Sequence, residues 1–359
     1  MFYACVDSQD RSNVEELTNG DVDMTERDAR IIIRRFFAND EPEGDEAAFE
    51  EACHFLMEVI GDMKVAEALG GYYYGKRRYD LALKYYTLAA ENGTTYAWIG
   101  LGYIWYYGCL GVRDYEKAYH SFAKAIELLT GRSIECDTFW TLDKKVKLHN
   151  KNEYDQYINA AYKLADMYRY GLYVEESWEH FAYLIRQLYD MMCSRKNEMI
   201  RFDDHMPEIS LRMADVLLAE QASDVEGKQV KGIGRKKKEA LDILLQAKDA
   251  MALRLDFYQF FGNFSVMKSI VRKIYSLTEF VPEKAELYAL YYVLQTPCRV
   301  SFLCDETRHE VFSEREGGEI VVCLDEIWYH TIDDFMMKGK IDGRSIPDAS
   351  FNCHDFRLL

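Results

Sequence analysis

Apolar residues recur at helical spacing over most of this chain. Thr25-Glu-Arg-Asp28 opens a first helix in the manner of a capping box, with Asp in the usual Glu position, and Ile31, Ile32 and Phe36 continue it. The stretch from Asn39 to Gly44, with Pro42 inside it, breaks the pattern. A second helix is predicted from Asp45, with Ala48, Ala52, Phe55, Leu56 and Val59 on one face. From Val65 the pattern repeats. Between Tyr96 and Ala125, a first helix carries Leu101-Gly102 and Trp105, and Gly108 and Gly111 supply the turn. Asp114 then caps a second helix whose buried stripe is Ala118, Phe122 and Ala125. Ala82, Tyr86 and Ala89 repeat that stripe 36 residues upstream, after a first helix with Leu69-Gly70, Tyr73 and Gly75. A third unit has Ala160, Leu164, Ala165, Tyr168 and Gly171, then Phe181, Ile185 and Leu188. A fourth has Met213, Ala214 and Leu217, then Ala240, Leu244 and Ala247. Small residues let paired helices approach closely, and the aromatic fills the groove of the next unit.

The segment Ala97 to Asp114 reads Ala-x-x-x-Leu-Gly-x-x-Trp-x-x-Gly-x-x-Gly-Val-x-Asp when its turn is aligned on the two glycines, and Lys117-Ala118 and Leu88-Ala-Ala-Glu91-Asn-Gly93 add to it. These residues resemble the Sel-one-like repeat (SLR) family, a branch of the tetratricopeptide superfamily built from helix pairs of about 36 residues. The resemblance is densest over 65–128, thinner over 157–190 and weakest over 205–250. Two departures stand out: Phe181 replaces a small residue in the third unit, and Glu220 stands where the fourth should have its turn glycine. The resemblance implies a right-handed α-solenoid and, for most members, an adaptor or scaffold that holds other proteins.

Residues 251–295 stay helical without a clear repeat. Pro282 suits the first turn of a helix reaching about Gln295, and Thr296-Pro297 ends it. The texture then changes. Arg299–Leu303 and Glu319–Leu324 read as strands joined through Glu316-Gly317-Gly318, and Ile332–Lys338 as a short helix. The expected fold class is therefore mainly α: a solenoid of helix pairs with a small C-terminal α+β element. Three parts are expected: a helical cap over 1–60, a repeat region over 61–296 with insertions at 130–156 and 221–238, and an α+β domain over 297–359.

Charge sharpens this division. The net charge of −17 splits into −11 over residues 1–60, zero over 61–296 and −6 over 297–359. A chain this acidic is poorly suited to broad contact with phosphate backbones, so nucleic acid is an unlikely partner. No run of about 18 apolar residues suggests a membrane span, and the N-terminus lacks a basic start with a long apolar run. The nine cysteines include no CxxC pair, which fits reduced thiols in a cytoplasm.

No set of residues spells out chemistry. Cys298, Cys304, Cys323, Cys353, His309, His330 and His354 crowd the last 62 residues, but without the close ligand pair of a structural zinc site. A Cys304–His330 nucleophile pair lacks a local signature. No glycine-rich loop follows a strand, and Arg235–Lys238 reads as a solvated helix start. Adjacent carboxylates such as Asp203-Asp204 and Asp333-Asp334 do not share a helix face. No cofactor, metal or catalytic residue is expected.

The aromatic residues are more informative. The repeat's framework takes Leu69, Leu101, Leu164, Tyr73, Trp105 and Tyr168 for the core. Tyr72, Tyr74, Trp98, Tyr103, Tyr106 and Tyr162 lie at the variable positions between them, which in stacked helix pairs tend to line the concave face. Tyr and Trp bury large areas there at little rotamer cost. Adjacent helices or the 130–156 insertion could equally cover them. The expected function is a non-enzymatic scaffold or adaptor for a protein or peptide partner. The alternative is an effector or enzyme whose C-terminal domain acts while the solenoid selects the target.

Overall fold

The structure, a computed structural model, describes residues 24–38, 45–140, 146–194, 205–226, 233–257, 259 and 261–359. Helix α1 (Glu26–Ala38) begins in the expected capping box: the Asp28 N–H donates to Thr25 Oγ1 and the Thr25 N–H to Asp28 Oδ2, both at 3.2 Å. In α2 (Glu46–Glu58) the Asp45 carboxylate caps the Ala48 N–H at 3.0 Å. Its buried face is Phe49, Ala52, Cys53, Leu56 and Met57, rotated from the face expected; Val59 is exposed. Phe49 causes the rotation, because its ring stacks on Phe36 of α1 at 4.1 Å and turns that side of the helix inward. Residues 1–23 and the expected break from Asn39 to Gly44 lie outside the described residues.

The chain forms two compact units, residues 1–184 and 185–359. In the first, α3 (Ala66–Gly75), α4 (Tyr79–Glu91), α5 (Thr95–Tyr107), α6 (Tyr115–Thr130) and α7 (Lys151–Tyr170) follow in series. Each packs on the next, and α3, α5 and α7 also touch one another in succession. That is the arrangement of stacked helix pairs, with the first helices forming one layer. Ala82, Tyr86, Ala89, Ala118, Phe122 and Ala125 are all buried, as the repeat requires.

Glycine makes the close approach possible. A Cβ on Gly70 of α3 or on Gly100 of α5 would stand 2.5 Å from the Tyr86 ring, so one tyrosine of α4 is clasped between two first helices. Gly102 gives Phe122 of α6 the same access, at 2.4 Å. Gly108 ends α5 in the left-handed conformation (φ 67°), where a side chain would also collide with Arg113. Asp114 then caps α6, accepting the Lys117 N–H at 3.0 Å.

Helix α7 starts within the stretch expected as an insertion. Residues 134–140 fold back on the repeat through Trp140, whose ring packs on Tyr168 and His180 and whose indole N–H donates to the Ile134 carbonyl at 2.9 Å. Gly171 closes α7 with φ 60°, and α8 (Trp178–Ser194) buries Phe181, Ile185 and Leu188.

In the second unit, α9 (Met206–Glu226) and α10 (Ile233–Phe257) lie along one another, and α11 (Phe261–Leu277) packs on both. Met213, Ala214, Leu217, Ala240, Leu244 and Ala247 are buried where the fourth repeat predicts. Ion pairs between Glu208 and Arg254, at 3.0 Å, and between Asp215 and Lys273 tie the three helices together. Arg235–Lys238 occupy the first turns of α10.

The helix expected from Pro282 to Gln295 is broken. Pro282 does start a turn, but a 3-10 one ending at Lys284. Ala285 and Glu286 are extended, and only Leu290–Val293 (α12) is α-helical.

A five-stranded antiparallel sheet follows, in the order β4-β3-β2-β1-β7. Its strands are β1 (Cys298–Cys304), β2 (Thr307–Glu316), β3 (Glu319–Leu324), β4 (Ile327–Tyr329) and β7 (Cys353–Leu358). Helix α13 (Ile332–Lys338) matches the short helix predicted there. The ribbon β5 (Lys340–Ile341) and β6 (Arg344–Ser345) and the helical turn α14 (Ile346–Ala349) precede the last strand. Strand β2 was not foreseen; it lies between the two expected strands and pairs with both. Val300, Phe302, Val311, Val322 and Leu324 point into the core beneath the sheet.

Candidate functional site

The layer made by α3, α5 and α7 carries the six aromatic residues singled out in the sequence. Helix α5 positions three of them. Its 13 residues contain no charged side chain, because nearly every face meets another helix. Ile99, Gly100, Leu101, Gly102 and Ile104 are buried, whereas Trp98, Tyr103 and Tyr106 are half-buried.

Tyr103 and Tyr162 are brought together where α5 meets α7. The Tyr103 hydroxyl donates to Asn159 Oδ1 at 2.6 Å, and its ring stacks on Tyr107 and meets Phe122 edge-on. Burial, and then the adjoining Tyr162 hydroxyl, push its phenol well above the usual value. Tyr162 is buried. Tyr106 meets Tyr107, Tyr115 and Phe122 edge-on, and the Lys163 ammonium lies 5.0 Å from its ring centre. That same buried ammonium sits 4.9 Å from Tyr107 and 4.6 Å from Tyr162, so a cation is wrapped by three rings. No periodicity marks Lys163, a charged residue buried between Tyr162 and Leu164.

Tyr72 and Tyr74 lie on α3 and belong to different neighbourhoods. The Tyr72 hydroxyl donates to Glu46 Oε2 of α2 at 2.7 Å, and its ring meets Phe36 and Phe49 edge-on. Burial, with Glu46 adding to it, raises its phenol above the usual range. Tyr74 meets Tyr79 edge-on and lies beside the Cys109 thiol, and burial again raises it. Trp98 packs at the margin of the core formed by α2 to α5. Trp105, assigned to the framework, is only half-buried, with the Lys117 ammonium 4.4 Å above its ring.

The chemistry-bearing residues of the last strands fall into separate places. Cys304 Sγ faces Cys353, the Ala349 carbonyl and the Arg344 guanidinium, whereas His330 is exposed. His309, in sequence only one of the crowded Cys and His residues, is buried on β2 with Nδ1 2.6 Å from Asp325 Oδ2 and Nε2 3.3 Å from Asp342 Oδ2. Its ring bridges the β3–β4 and β5–β6 turns. Among the described residues no group of three or more His, Cys, Asp and Glu side chains could hold a metal ion. Nor is any described helix long and apolar enough to cross a membrane.

No family model matches the chain, and no curated protein matches it. Among solved structures it is similar to a Sel1 repeat protein from Oxalobacter formigenes, at 14% identity over 70% of this chain and 83% of that one, with a TM-score of 0.26. It is also similar to a protective antigen present in uropathogenic Escherichia coli strains displaying an SLR fold, at 13% identity over 76% and 77% of the two chains, with a TM-score of 0.21. At such scores the fold rests on the chain's own helix packing.

Proposed function

We propose that this chain is a non-enzymatic scaffold that holds a protein or peptide partner on the layer formed by α3, α5 and α7, in a reducing cytoplasm. One observation carries the reading: an uncharged helix, close-packed behind, leaves Trp98 and Tyr106 half-exposed in that layer. Indole and phenol rings held on a rigid stack offer a partner broad contact area with few rotamers left to freeze. Tyr72 and Tyr74 extend the series on α3, while Tyr103 and Tyr162 support it from the α5–α7 seam. The aromatic rim suits a side chain or short peptide laid across it.

The test is quantitative capture from the native host with the full chain, comparing wild type with Trp98→Ala and Tyr106→Ala variants first shown to be folded. A partner held on this layer is depleted from both variants, and purified partner binds each more weakly by about 1–2 kcal/mol, as loss of a buried aromatic anchor predicts. Failure of both variants in that folding check, with unchanged affinity in the fraction that folds, would assign these rings to the core instead.

A further inference from the structure

Cys304 ends β1 and Cys353 opens β7, and the two face each other across the antiparallel pair. The Asp305 N–H donates to the Asn352 carbonyl at 3.2 Å on the turn side of this pair. The two cysteines therefore form a non-hydrogen-bonded pair, the closer of the two antiparallel registers, with a Cα separation near 4.5 Å. That separation falls inside the range a disulfide spans without backbone movement. The two sulfurs are 3.0 Å apart, and both thiols point at the Ala349 carbonyl, at 3.8 Å from Cys304 and 3.2 Å from Cys353. On the far side of Cys304, Arg344 Nη2 lies 3.4 Å from the sulfur, and Asp305 holds that guanidinium at 2.6 Å.

We propose that Cys304 and Cys353 form a reversible modification site, a disulfide made by reaction with hydrogen peroxide that staples β7 to β1. The site is pre-organised on both sides: neighbouring strands fix the sulfurs in reach, and a guanidinium lies beside the sulfur that attacks. Cys304 Sγ attacks one peroxide oxygen; the S–O bond forms, the O–O bond breaks, and the departing hydroxide takes up the thiol proton as water. Cys353 Sγ then attacks Cys304 Sγ and displaces the sulfenic hydroxyl, which leaves as a second water with the Cys353 proton. Two thiols are oxidised by two electrons in all, and one hydrogen peroxide is reduced to two waters. Cys304 takes the first role because the Arg344 guanidinium lies beside its sulfur, and Cys353 is in reach for the second. Both sulfurs are nearly or fully buried, which selects an oxidant as small as peroxide. The staple links positions 49 residues apart and encloses every element from β2 to α14.

The experiment treats the reduced full-length chain with hydrogen peroxide, alkylates the remaining thiols in denaturant and maps the peptides by mass. The expected product joins the peptides of Cys304 and Cys353, is lighter by two hydrogens and is restored by dithiothreitol. Amide exchange over 353–358 slows several-fold in the oxidised form. Arg344→Gln reaches the same product several-fold more slowly, and Cys353→Ser leaves a sulfenic acid on Cys304 that a dione reagent traps. The proposal is overturned if peroxide is consumed at the exposed Cys136 and Cys193 while Cys304 and Cys353 stay alkylatable. It is equally overturned if Cys304 pairs with any other cysteine. Should the serine variant not fold, the wild-type peptide map decides alone.

Discussion

Helices α3 to α6 and the five-stranded sheet solve the same problem at different ranges along the chain. Each helix of the repeat packs on the one that follows it, and the contacts recur with the period of the sequence. In the sheet, β1 pairs on one side with its hairpin neighbour β2 and on the other with β7, from the far end of the element. A repeat thus announces its packing locally. A sheet closed by a distant strand cannot, because no segment of it contains both partners of the closing contact.

The largest test of that difference is Phe302→Ala. Phe302 is fully buried, and its ring stacks on His309 of β2 and on Phe356 of β7, so it joins the near and far pairings in one side chain. A loss of about 3–5 kcal/mol is expected in urea denaturation. Hydrogen exchange should show strands β1, β2 and β7 losing protection together; loss confined to β1 would mean that the far pairing contributes little.

In the repeat the corresponding lesion is Gly100→Leu, which drives a side chain into the Tyr86 ring. The cost should reach about 3 kcal/mol, the upper end for overpacking. Tyr86→Leu added to Gly100→Ala should return part of what the glycine change alone removes, because the two positions share one contact. Ala118→Leu, at a fully buried position, should cost about 1–3 kcal/mol. Unchanged melting in these variants would overturn the register of the repeat.

The smallest effect sharpens the local side of the comparison. The Asp114 carboxyl is held below its ordinary value near 3.8 by the Lys117 N–H and then by the Lys117 ammonium, at 3.0 Å. A depressed carboxyl contributes stability above its unfolded pKa and loses it as the pH falls through the folded one. Asp114→Ala should cost about 1 kcal/mol at neutral pH, through loss of the cap. Asp114→Asn should keep most of the cap, while the fall in stability below pH 3.8 becomes shallower than in wild type. Identical acid limbs in urea titrations would show that the carboxylate charge adds nothing.

The same contrast decides what could be read in advance. The stripes at 82–89 and 118–125, the turn at Gly108 and the cap at Asp114 follow from spacing and residue type alone, and the structure bears them out. Strand β2 escaped because two of its three fully buried inward positions are polar: His309 and Ser313 flank Val311, so alternation of apolar residues is absent. The hairpin turns were legible in principle. Gly317-Gly318 and Asp342-Gly343 are two-residue connections with positive φ at both positions, and Asp325-Glu326 is a third built without glycine. Around α5, sequence spacing located the aromatic residues but not their neighbours. Tyr162 is buried where α7 packs on α5 and α6, and Trp105 stays half-buried beneath Lys117 of α6, so helices apart in sequence decide which faces are covered.

The clasp on Tyr86 reaches beyond stability. One ring touches a glycine from the helix before it and a glycine from the helix after it, so a single side chain gauges the spacing of two successive first helices. Three positions in three separate helices therefore share one degree of freedom. In descendants of this sequence they should be inherited as a set: wherever Tyr86 shrinks, Gly70 and Gly100 are released to acquire side chains, and wherever either glycine is replaced, the ring should already have been lost.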